Sequence, residues 1–386
     1  MLSVFNSQKM RFWAFISMVL LVFVHGYNLN EGYLQPWTQP GEKLTITTFT
    51  EYFLANGLFR FRIPMLFIIS GYLFAMGDNK PYKQRIASRV KTLLYPYLVW
   101  SAVGLMLTFI IELNDQGKML IAASQMMQID NYRNLLHQYY WYEVMARWIF
   151  FPVSYQLWFI RVLFIYNLAY PAIRCCILHK NARWIFFSVA FLAWLATAGL
   201  VLVEGEGLLF FSVGVWMQKT NFNIDNPPTW LKPKYWITVF VMMAVVKTFI
   251  AFQPHFQGIE IILLLCYKLV VFSGLIVAWY GGNALVKFCM AERWFVKLSA
   301  FSFMIYVLHA PIVVYATKAV FLHTAPWIGF RLFTFLLLPL ILIVICMGIG
   351  ALLRWSIPGV YSFVTGGRGL NYEKTVSKKN SLLKIT

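Results

Sequence analysis

Long apolar runs alternate with short polar segments along most of the chain. Ten runs are candidates for membrane-spanning helices, since about 20 apolar residues in a helix cross the hydrocarbon core of a bilayer. The runs cover residues 10–28, 58–77, 92–112, 153–173, 183–202, 206–218, 235–253, 259–280, 299–320 and 327–353. The sixth run is short and requires either little tilt or a locally thinner bilayer. The pattern therefore predicts an all-α bundle of about ten transmembrane helices.

The loops between these runs differ in charge from one side of the membrane to the other. When the N-terminus is placed inside, most of the 33 lysines and arginines fall on the inner side, with the densest group at 80–91. The outer loops contain most of the acidic residues. Because basic loops stay in the cytoplasm, we expect both termini to be cytoplasmic. The expected location of this multi-pass protein is the inner cell membrane.

The composition supports a membrane protein and argues against a soluble one. Hydrophobic residues make up 60% of the 386 residues and charged residues only 12%, against about 25% charged residues in a typical soluble domain. The net charge of +19 follows from the basic inner loops, so no nucleic-acid partner is expected. The five cysteines show neither metal-ligand spacing nor a disulfide framework, so neither kind of site is predicted.

The apolar runs divide the chain into one domain and a tail. Residues 1–366 are predicted to form a single transmembrane domain, and 367–386 a polar, lysine-rich cytoplasmic tail that is disordered. The longest outer segment, 113–152, is rich in aromatic residues and is expected to contain a short surface helix around 117–127. No internal repeat is visible, which argues against an inverted-repeat transporter.

Several ionisable residues lie inside the apolar runs, where they are costly and usually functional. His25 lies near the outer end of the first run, while Arg161 and His309 fall near the middle of the fourth and ninth. Tyr306 precedes His309 by three residues and shares its helix face. Each histidine also has a purely structural explanation. His25 could lie at the membrane interface, and His309 could be a core residue whose hydrogen bonds are made within the protein. Arg161 is too deep to reach the surface and should hold an anion or a carboxylate.

Other charged residues have simpler explanations from position alone. Arg62 opens the second run and can extend to the surface. Glu143 is a possible partner for Arg161, or an ordinary surface acid. Lysines near the ends of runs are expected to extend to the membrane surface in the same way; they are Lys247, Lys268 and Lys318.

Six stretches occur together in an order that resembles the acyltransferase type 3 family of integral-membrane proteins. The stretches are VFVH at 22–25, PMLFIISGYLF at 64–74, RVKTLLYPYLVW at 89–100, LWFIR at 157–161, FSVGVW at 211–216 and SFMIYVLHAP at 302–311. Many members of this family O-acylate cell-surface glycans. The family usually has an arginine or lysine eleven residues before the first-span histidine. Here that position is Ala14, and Arg11 lies on a similar helix face.

The resemblance implies an acyl-CoA co-substrate, commonly acetyl-CoA, with no tightly bound cofactor. The acceptor would be a hydroxyl of an extracytoplasmic glycan or of a lipid-linked sugar. No glycine-rich phosphate loop is present, so the CoA phosphates would be bound by basic side chains on the cytoplasmic side. The candidates are Arg11, Arg85, Arg89 and Lys91.

The same resemblance implies roles for the intramembrane residues. His25 would act either as a general base on the acceptor hydroxyl or as a nucleophile that carries the acyl group. Arg161, together with Arg62, would stabilise the oxyanion formed on the thioester carbon. His309 and Tyr306, and Glu143 in the outer segment, would position the acceptor. The aromatic residues of 113–152 suit stacking on sugar rings.

Two other functions fit the sequence. One is an exporter of a glycan or lipid-linked intermediate, which would move its substrate without consuming acyl-CoA. The other is a structural subunit of an envelope assembly, in which His25 would have no chemical role.

Overall fold

A computed structural model describes residues 2–27, 37–130, 132–324 and 327–369. Regular structure in these residues is helical, apart from one isolated antiparallel bridge between Gly199 and Glu204. The helices, in chain order, are α1 (Val4–Gly26), α2 (Ile46–Tyr52), α3 (Arg62–Ala75), α4 (Tyr82–Arg89), α5 (Tyr95–Ile111), α6 (Asp115–Ser124), α7 (Trp141–Ile149), α8 (Trp158–Leu178), α9 (Ala182–Leu195), α10 (Gly205–Lys219), α11 (Pro233–Ala251), α12 (Ile259–Ile276), α13 (Asn283–Ala291), α14 (Arg293–Leu298), α15 (Ser302–His323), α16 (Phe330–Ser356) and α17 (Pro358–Thr365).

Eight helical segments in the described residues are long and apolar enough to cross a membrane. Several are longer than one α-helix, because a π- or 3-10 turn continues one helix into the next. The segments are Val4–Gly26, Ile46–Ala75, Tyr82–Ile111, Tyr155–Leu178, Pro233–Ala251, Ile259–Gly281, Arg293–His323 and Phe330–Ser356. They match eight of the ten apolar runs, and the shorter α9 and α10 match the fifth and sixth. The prediction of an all-α polytopic membrane bundle is therefore confirmed, while the number ten and the cytoplasmic position of both termini remain predictions.

Glycines allow α3 and α10 to pack closely in the centre of the bundle. A Cβ atom built on Gly71 of α3 would overlap the backbone carbonyl of Phe211 in α10. A Cβ on Gly214 of α10 would likewise overlap the carbonyl of Ile68 in α3. Small residues at a helix contact let two backbones approach in this way. This contact fixes the position of both helices, and their N-terminal ends carry side chains of the site described below.

Replacing Gly71 with alanine is expected to lower the stability of the protein. The added methyl group meets backbone rather than a movable side chain, so α3 and α10 must separate, at a cost of about 1–3 kcal/mol. Thermal unfolding of the purified protein in detergent measures the effect. Gly348→Ala is the matched control, because a Cβ on Gly348 in α16 would have no neighbour within 4 Å. Equal melting temperatures for the two variants would show that the close contact does not matter.

Asp78, in the turn after α3, joins three helices (α4, α8 and α10) at the end of the bundle that the charge pattern assigns to the cytoplasm. Its carboxylate lies 2.6 Å from Arg85 and 3.1 Å from Arg174, and it also pairs with Lys219. The Tyr170 hydroxyl donates to both carboxylate oxygens at 2.8 Å. Burial raises the pKa of Asp78, but the hydrogen bonds from Lys219 and Tyr170 and the nearby positive charges outweigh it, so this pKa lies below its usual value.

Asp78→Asn should reduce the free energy of unfolding by about 1–3 kcal/mol, because it leaves three clustered cations without a counter-charge. Since the folded-state pKa is lowered, this stabilisation is present above the ordinary aspartate pKa of about 3.9 and is lost as the pH falls through the folded-state value. The difference in unfolding free energy between wild type and Asp78→Asn, measured in detergent, should therefore be full at neutral pH and smaller in acid. Asp115→Asn is the control, as that side chain is 94% exposed in its pair with Lys118. A shift of equal size in both variants would contradict the role of Asp78.

One predicted helix boundary is wrong. The fifth run was expected to be helical to residue 202, but α9 ends at Leu195, and a short hairpin between Ala198 and Gly205 precedes α10. The reason is local, since Thr197 adopts positive φ and Gly199 follows it. The division into a domain at 1–366 and a tail at 367–386 remains a prediction. Within the predicted tail, Arg368 donates to the Thr92 carbonyl at 2.7 Å. Residues 370–386 of the predicted disordered tail lie outside the described residues.

Candidate active site

A cavity of about 530 Å³ opens where the C-terminal end of α1 meets the N-terminal ends of α3, α8 and α10, and His25 at the end of α1 faces it. This volume lies within the usual range for small-molecule sites. Polar and aromatic side chains from segments far apart in the sequence line the cavity: His25, Trp37, Arg60, Arg62, Tyr155, Gln156, Trp158, Trp194, Glu204, Glu206, Tyr267, Lys268 and Tyr306. A polar cavity with ionisable side chains inside a membrane bundle is the strongest candidate for a functional site.

His25 and His309, both singled out in the sequence, lie side by side. Their ring centroids are 5.5 Å apart with an interplanar angle of 22°, and the Tyr155 ring meets His25 edge-on at 4.9 Å. His309 is fully buried and its Nδ1 lies 3.0 Å from the carbonyl of Ile305. Because a carbonyl only accepts, Nδ1 carries the proton and Nε2 of neutral His309 is an acceptor. Neither His309 Nε2 nor His25 Nδ1 has a hydrogen-bond partner among the described residues.

The local geometry of α15 explains why His309 occupies this position. Ala310 has non-helical backbone angles next to Pro311, and the helix bends there because proline cannot supply the N–H of a continuous helix. The side-chain amide of Gln156 donates to the carbonyl of Ala310 at 2.8 Å. The Tyr306 hydroxyl donates to the backbone carbonyl of Gln156 at 2.7 Å. These bonds attach the bend to the segment before α8 and hold His309 beside His25.

Two arginines lie in the same cavity. Arg62 is only 3% exposed and donates to the Phe59 carbonyl at 2.8 Å. Arg60 donates to the side-chain carbonyl of Asn56. The Nε atoms of both arginines have no partner in the described part of the chain. The expectation that Arg62 extends to the surface is therefore wrong. The bundle encloses this residue, and its guanidinium supplies positive charge close to His25.

Two carboxylates and a lysine, none of them among the predicted site residues, complete the lining. Glu206 accepts hydrogen bonds from Tyr267 at 2.8 Å and from the indole of Trp194 at 3.3 Å. Lys268 lies over the rings of Trp194 and Tyr267, at 4.8 and 5.0 Å from their centroids. Glu204 precedes α10 and also lines the cavity. The Glu-Gly-Glu-Gly sequence at the start of the unusually short sixth run was the available signal.

The expected surface position of two lysines is wrong. Lys268 is 5% exposed and lines the cavity. Lys247 is fully buried and donates to the Tyr52 hydroxyl at 3.2 Å and to the Asn56 carbonyl at 2.9 Å. Both side chains point into the bundle, where polar partners and aromatic rings replace water. Lys318 is partly exposed, and its predicted extension to the surface remains a prediction.

Arg161 lies outside the cavity lining. The fourth run was expected to be helical from 153, but α8 begins at Trp158, so Arg161 is in its first turn and not at mid-membrane. Its guanidinium donates to the Phe150 carbonyl. Glu143, the suggested partner, instead pairs with Arg133 at 3.0 Å and accepts from the backbone of Tyr140. The structure therefore separates Arg161 and Glu143, and neither lines the His25 cavity.

The outer segment 113–152 contains the expected surface helix, which is α6. Its aromatic residues do not line the cavity in the described part of the chain. Tryptophans from elsewhere do so instead: Trp37, Trp158 and Trp194. Of the residues expected to position an acceptor, Tyr306 lines the cavity and His309 lies directly behind His25.

The four predicted phosphate-binding residues are divided between two places. Arg85 and Arg89 both approach the Phe74 ring, at 4.1 and 5.1 Å, and Arg85 also pairs with Asp78. Lys91 follows Arg89 by two residues, and its side chain is exposed. Arg11 instead donates to the Val296 carbonyl at 2.7 Å and to the Ser299 hydroxyl at 3.0 Å. Arg11 thus links α1 to the junction of α14 and α15, and its role with CoA remains a prediction.

The family model described as an acyltransferase domain matches residues 9–353, nearly the whole chain. The chain belongs to the acyltransferase type 3 family, and it is a multi-pass membrane acyltransferase. No curated protein and no solved structure matches the chain.

Proposed function

We propose that the protein is an O-acyltransferase of the inner cell membrane. It transfers an acyl group, most simply acetyl, from cytosolic acyl-CoA to a hydroxyl of an extracytoplasmic glycan or lipid-linked sugar. The observation that carries this proposal is the placement of His25, backed by His309 and accompanied by Arg62, in one polar cavity inside the bundle. A base and a buried cation next to a space of substrate size are the components that acyl transfer to a hydroxyl needs.

In this mechanism His25 is the general base. It removes the proton from the acceptor hydroxyl while the hydroxyl oxygen attacks the thioester carbon. The carbonyl oxygen becomes an oxyanion, which Arg62 stabilises. Collapse of the tetrahedral intermediate breaks the carbon–sulfur bond, and the departing CoA thiolate takes the proton back from His25. The cavity volume of about 530 Å³ leaves room for the thioester and an acceptor ring together, as direct transfer requires.

The donor would approach from the end of the bundle that carries the basic loops. Arg85 and Arg89 in α4, with Lys91 beyond it, would bind the CoA phosphates there. Arg174 and Lys219, which share Asp78 with Arg85, add positive charge to the same end. Three cations around one carboxylate leave an excess of positive charge, which favours phosphate groups.

Transfer of label from radiolabelled acetyl-CoA tests this function. The purified protein in lipid nanodiscs should move the label to envelope polysaccharide isolated from cells that lack the gene. In the mass spectrum of polysaccharide from these cells, each sugar that the protein normally modifies should lack the mass of one acyl group. Succinyl-CoA is the second donor to try. Movement of glycan across vesicles without CoA release would favour an exporter and overturn the proposal.

A further inference from the structure

Asn56 lies at the centre of a hydrogen-bond network beside the His25 cavity. It is 1% exposed and belongs to the π-turn Phe53–Gly57, which continues α2 toward α3. Its side-chain carbonyl accepts a hydrogen bond from the guanidinium of Arg60, and its side-chain amide donates to the Tyr27 hydroxyl at 3.1 Å. One buried amide thus links the end of α1 to an arginine that lines the cavity.

The π-turn is held in place by α11. A Cβ atom on Gly57 would lie 3.2 Å from the Cβ of Ala244, so the two backbones lie close together. One turn further along α11, the fully buried Lys247 donates to the Asn56 carbonyl at 2.9 Å and to the Tyr52 hydroxyl at 3.2 Å. π-Turns inside helices are frequent at functional sites. This one has its backbone fixed by a helix outside the cavity lining, while its asparagine side chain points into the bundle.

The group that holds Arg60 carries no charge. Charged residues inside a membrane bundle usually pair with an opposite charge or with backbone carbonyls. Among the described residues, neither Arg60 nor Arg62 forms an ion pair, and Glu206 accepts from Tyr267 and Trp194 instead. A carboxylate in place of the Asn56 amide would cancel most of the field of the guanidinium. The amide fixes the guanidinium and leaves its charge intact.

We propose that Asn56 is a positioning residue, which holds the Arg60 guanidinium toward the thioester oxygen as an uncompensated positive charge. This inference rests on the proposed function. It adds a second arginine beside Arg62 and the uncharged residue that orients it. The thioester oxygen becomes negative in the tetrahedral intermediate, and fixed cations in a site with little water stabilise it. Asn56 does not line the cavity, so it acts through Arg60 and not on the substrate.

Asn56→Asp separates this role from a purely structural one. The new carboxylate has nearly the size of the amide, still accepts from Arg60, and can accept from the Tyr27 hydroxyl. Because its bond to the guanidinium is charge-assisted, the melting temperature in detergent should equal or exceed that of wild type. The added negative charge should nevertheless lower kcat about ten- to hundredfold, with a smaller change in KM for acetyl-CoA, because it opposes the developing oxyanion. Both constants are measured with labelled acetyl-CoA and envelope polysaccharide in nanodiscs.

Gln257→Glu is the matched control, because it adds the same charge at an exposed position in the loop between α11 and α12. It should alter neither kcat nor the melting temperature. A folded Asn56→Asp protein with the kcat of wild type would overturn the inference, since a purely structural asparagine tolerates a carboxylate that keeps its hydrogen bonds.

A double-mutant cycle tests the same role without a new charge. Asn56→Ala frees the guanidinium and should lower kcat about ten- to hundredfold, as for a misplaced catalytic group. In an Arg60→Gln background the same change should lower kcat by less than about threefold, because no guanidinium is left to position. An equal loss in both backgrounds would show that Asn56 is only structural and would overturn the inference. This cycle decides the question if Asn56→Asp does not fold.

The outcomes separate this inference from the proposed function. A normal kcat in Asn56→Asp, or additive losses in the cycle, would remove Asn56 from the site and leave acyl transfer by the wild-type protein intact. Failure of the wild-type protein to transfer label from any acyl-CoA to envelope polysaccharide would overturn the function itself.

Discussion

His25→Ala is expected to reduce the rate of acyl transfer by about 10²–10⁴-fold, the usual contribution of a positioned general base. The reduction should appear in kcat, since the imidazole acts on the proton that moves during the reaction and contributes little to holding either substrate. Steady-state kinetics of the purified protein, with acetyl-CoA and the acetylated product both quantified, measure it. Alanine at this position also removes the ring contacts of His25 with His309 and Tyr155, so thermal unfolding of the variant is measured alongside the kinetics.

The control is His255→Ala, an exposed histidine in the loop between α11 and α12. It should retain full activity, and both variants should unfold near the wild-type temperature in detergent. His309→Asn provides a second comparison, because an amide can still donate to the Ile305 carbonyl but cannot act as imidazole. We expect an intermediate loss of kcat for it, as for a group that positions the base. A fully active His25→Ala would remove this residue from the mechanism.

Much of the site could be predicted from ionisable residues that lie in an otherwise apolar stretch of sequence. An imidazole in an apolar run is costly whatever the neighbouring helices are, so His25 and His309 could be identified from composition and position alone. The eight long spans could be predicted for a similar reason, since bilayer thickness sets the length of an apolar helix. These inferences need no knowledge of which helices touch.

The remaining residues depended on three-dimensional facts that the linear pattern does not contain. Lys268 in α12 looks the same in sequence whether its side chain extends to the surface or into a cavity. Glu204 resembles an ordinary loop acid until the hairpin folds it against Tyr166. The sequence places Arg161 deep in the membrane because the apolar run begins at 153, whereas α8 begins at Trp158. In each case the missing information was the direction of the side chain or the residue where the helix begins.

The corrected positions change which arginine should stabilise the transition state. Arg161 donates to the Phe150 carbonyl and does not line the cavity. Arg62 is 3% exposed and lines the cavity with His25. A cation in a site with little water interacts strongly with a developing negative charge. We therefore propose that Arg62 stabilises the oxyanion, a role that the sequence favoured for Arg161.

Arg62→Gln should lower kcat by about 10²–10³-fold, the effect of removing one oxyanion donor, with a smaller change in the KM for acetyl-CoA. Arg62→Lys should recover part of that loss, because it keeps the charge but not the geometry of the guanidinium. Arg161→Gln should cost far less in kcat and act mainly on thermal stability, since its guanidinium contacts the Phe150 carbonyl before α8. The three variants are compared with wild type by kinetics and by thermal unfolding in the same detergent. A greater loss of kcat in Arg161→Gln than in Arg62→Gln, at equal stability, would return the oxyanion role to Arg161 and would mean that the bundle rearranges when substrate binds.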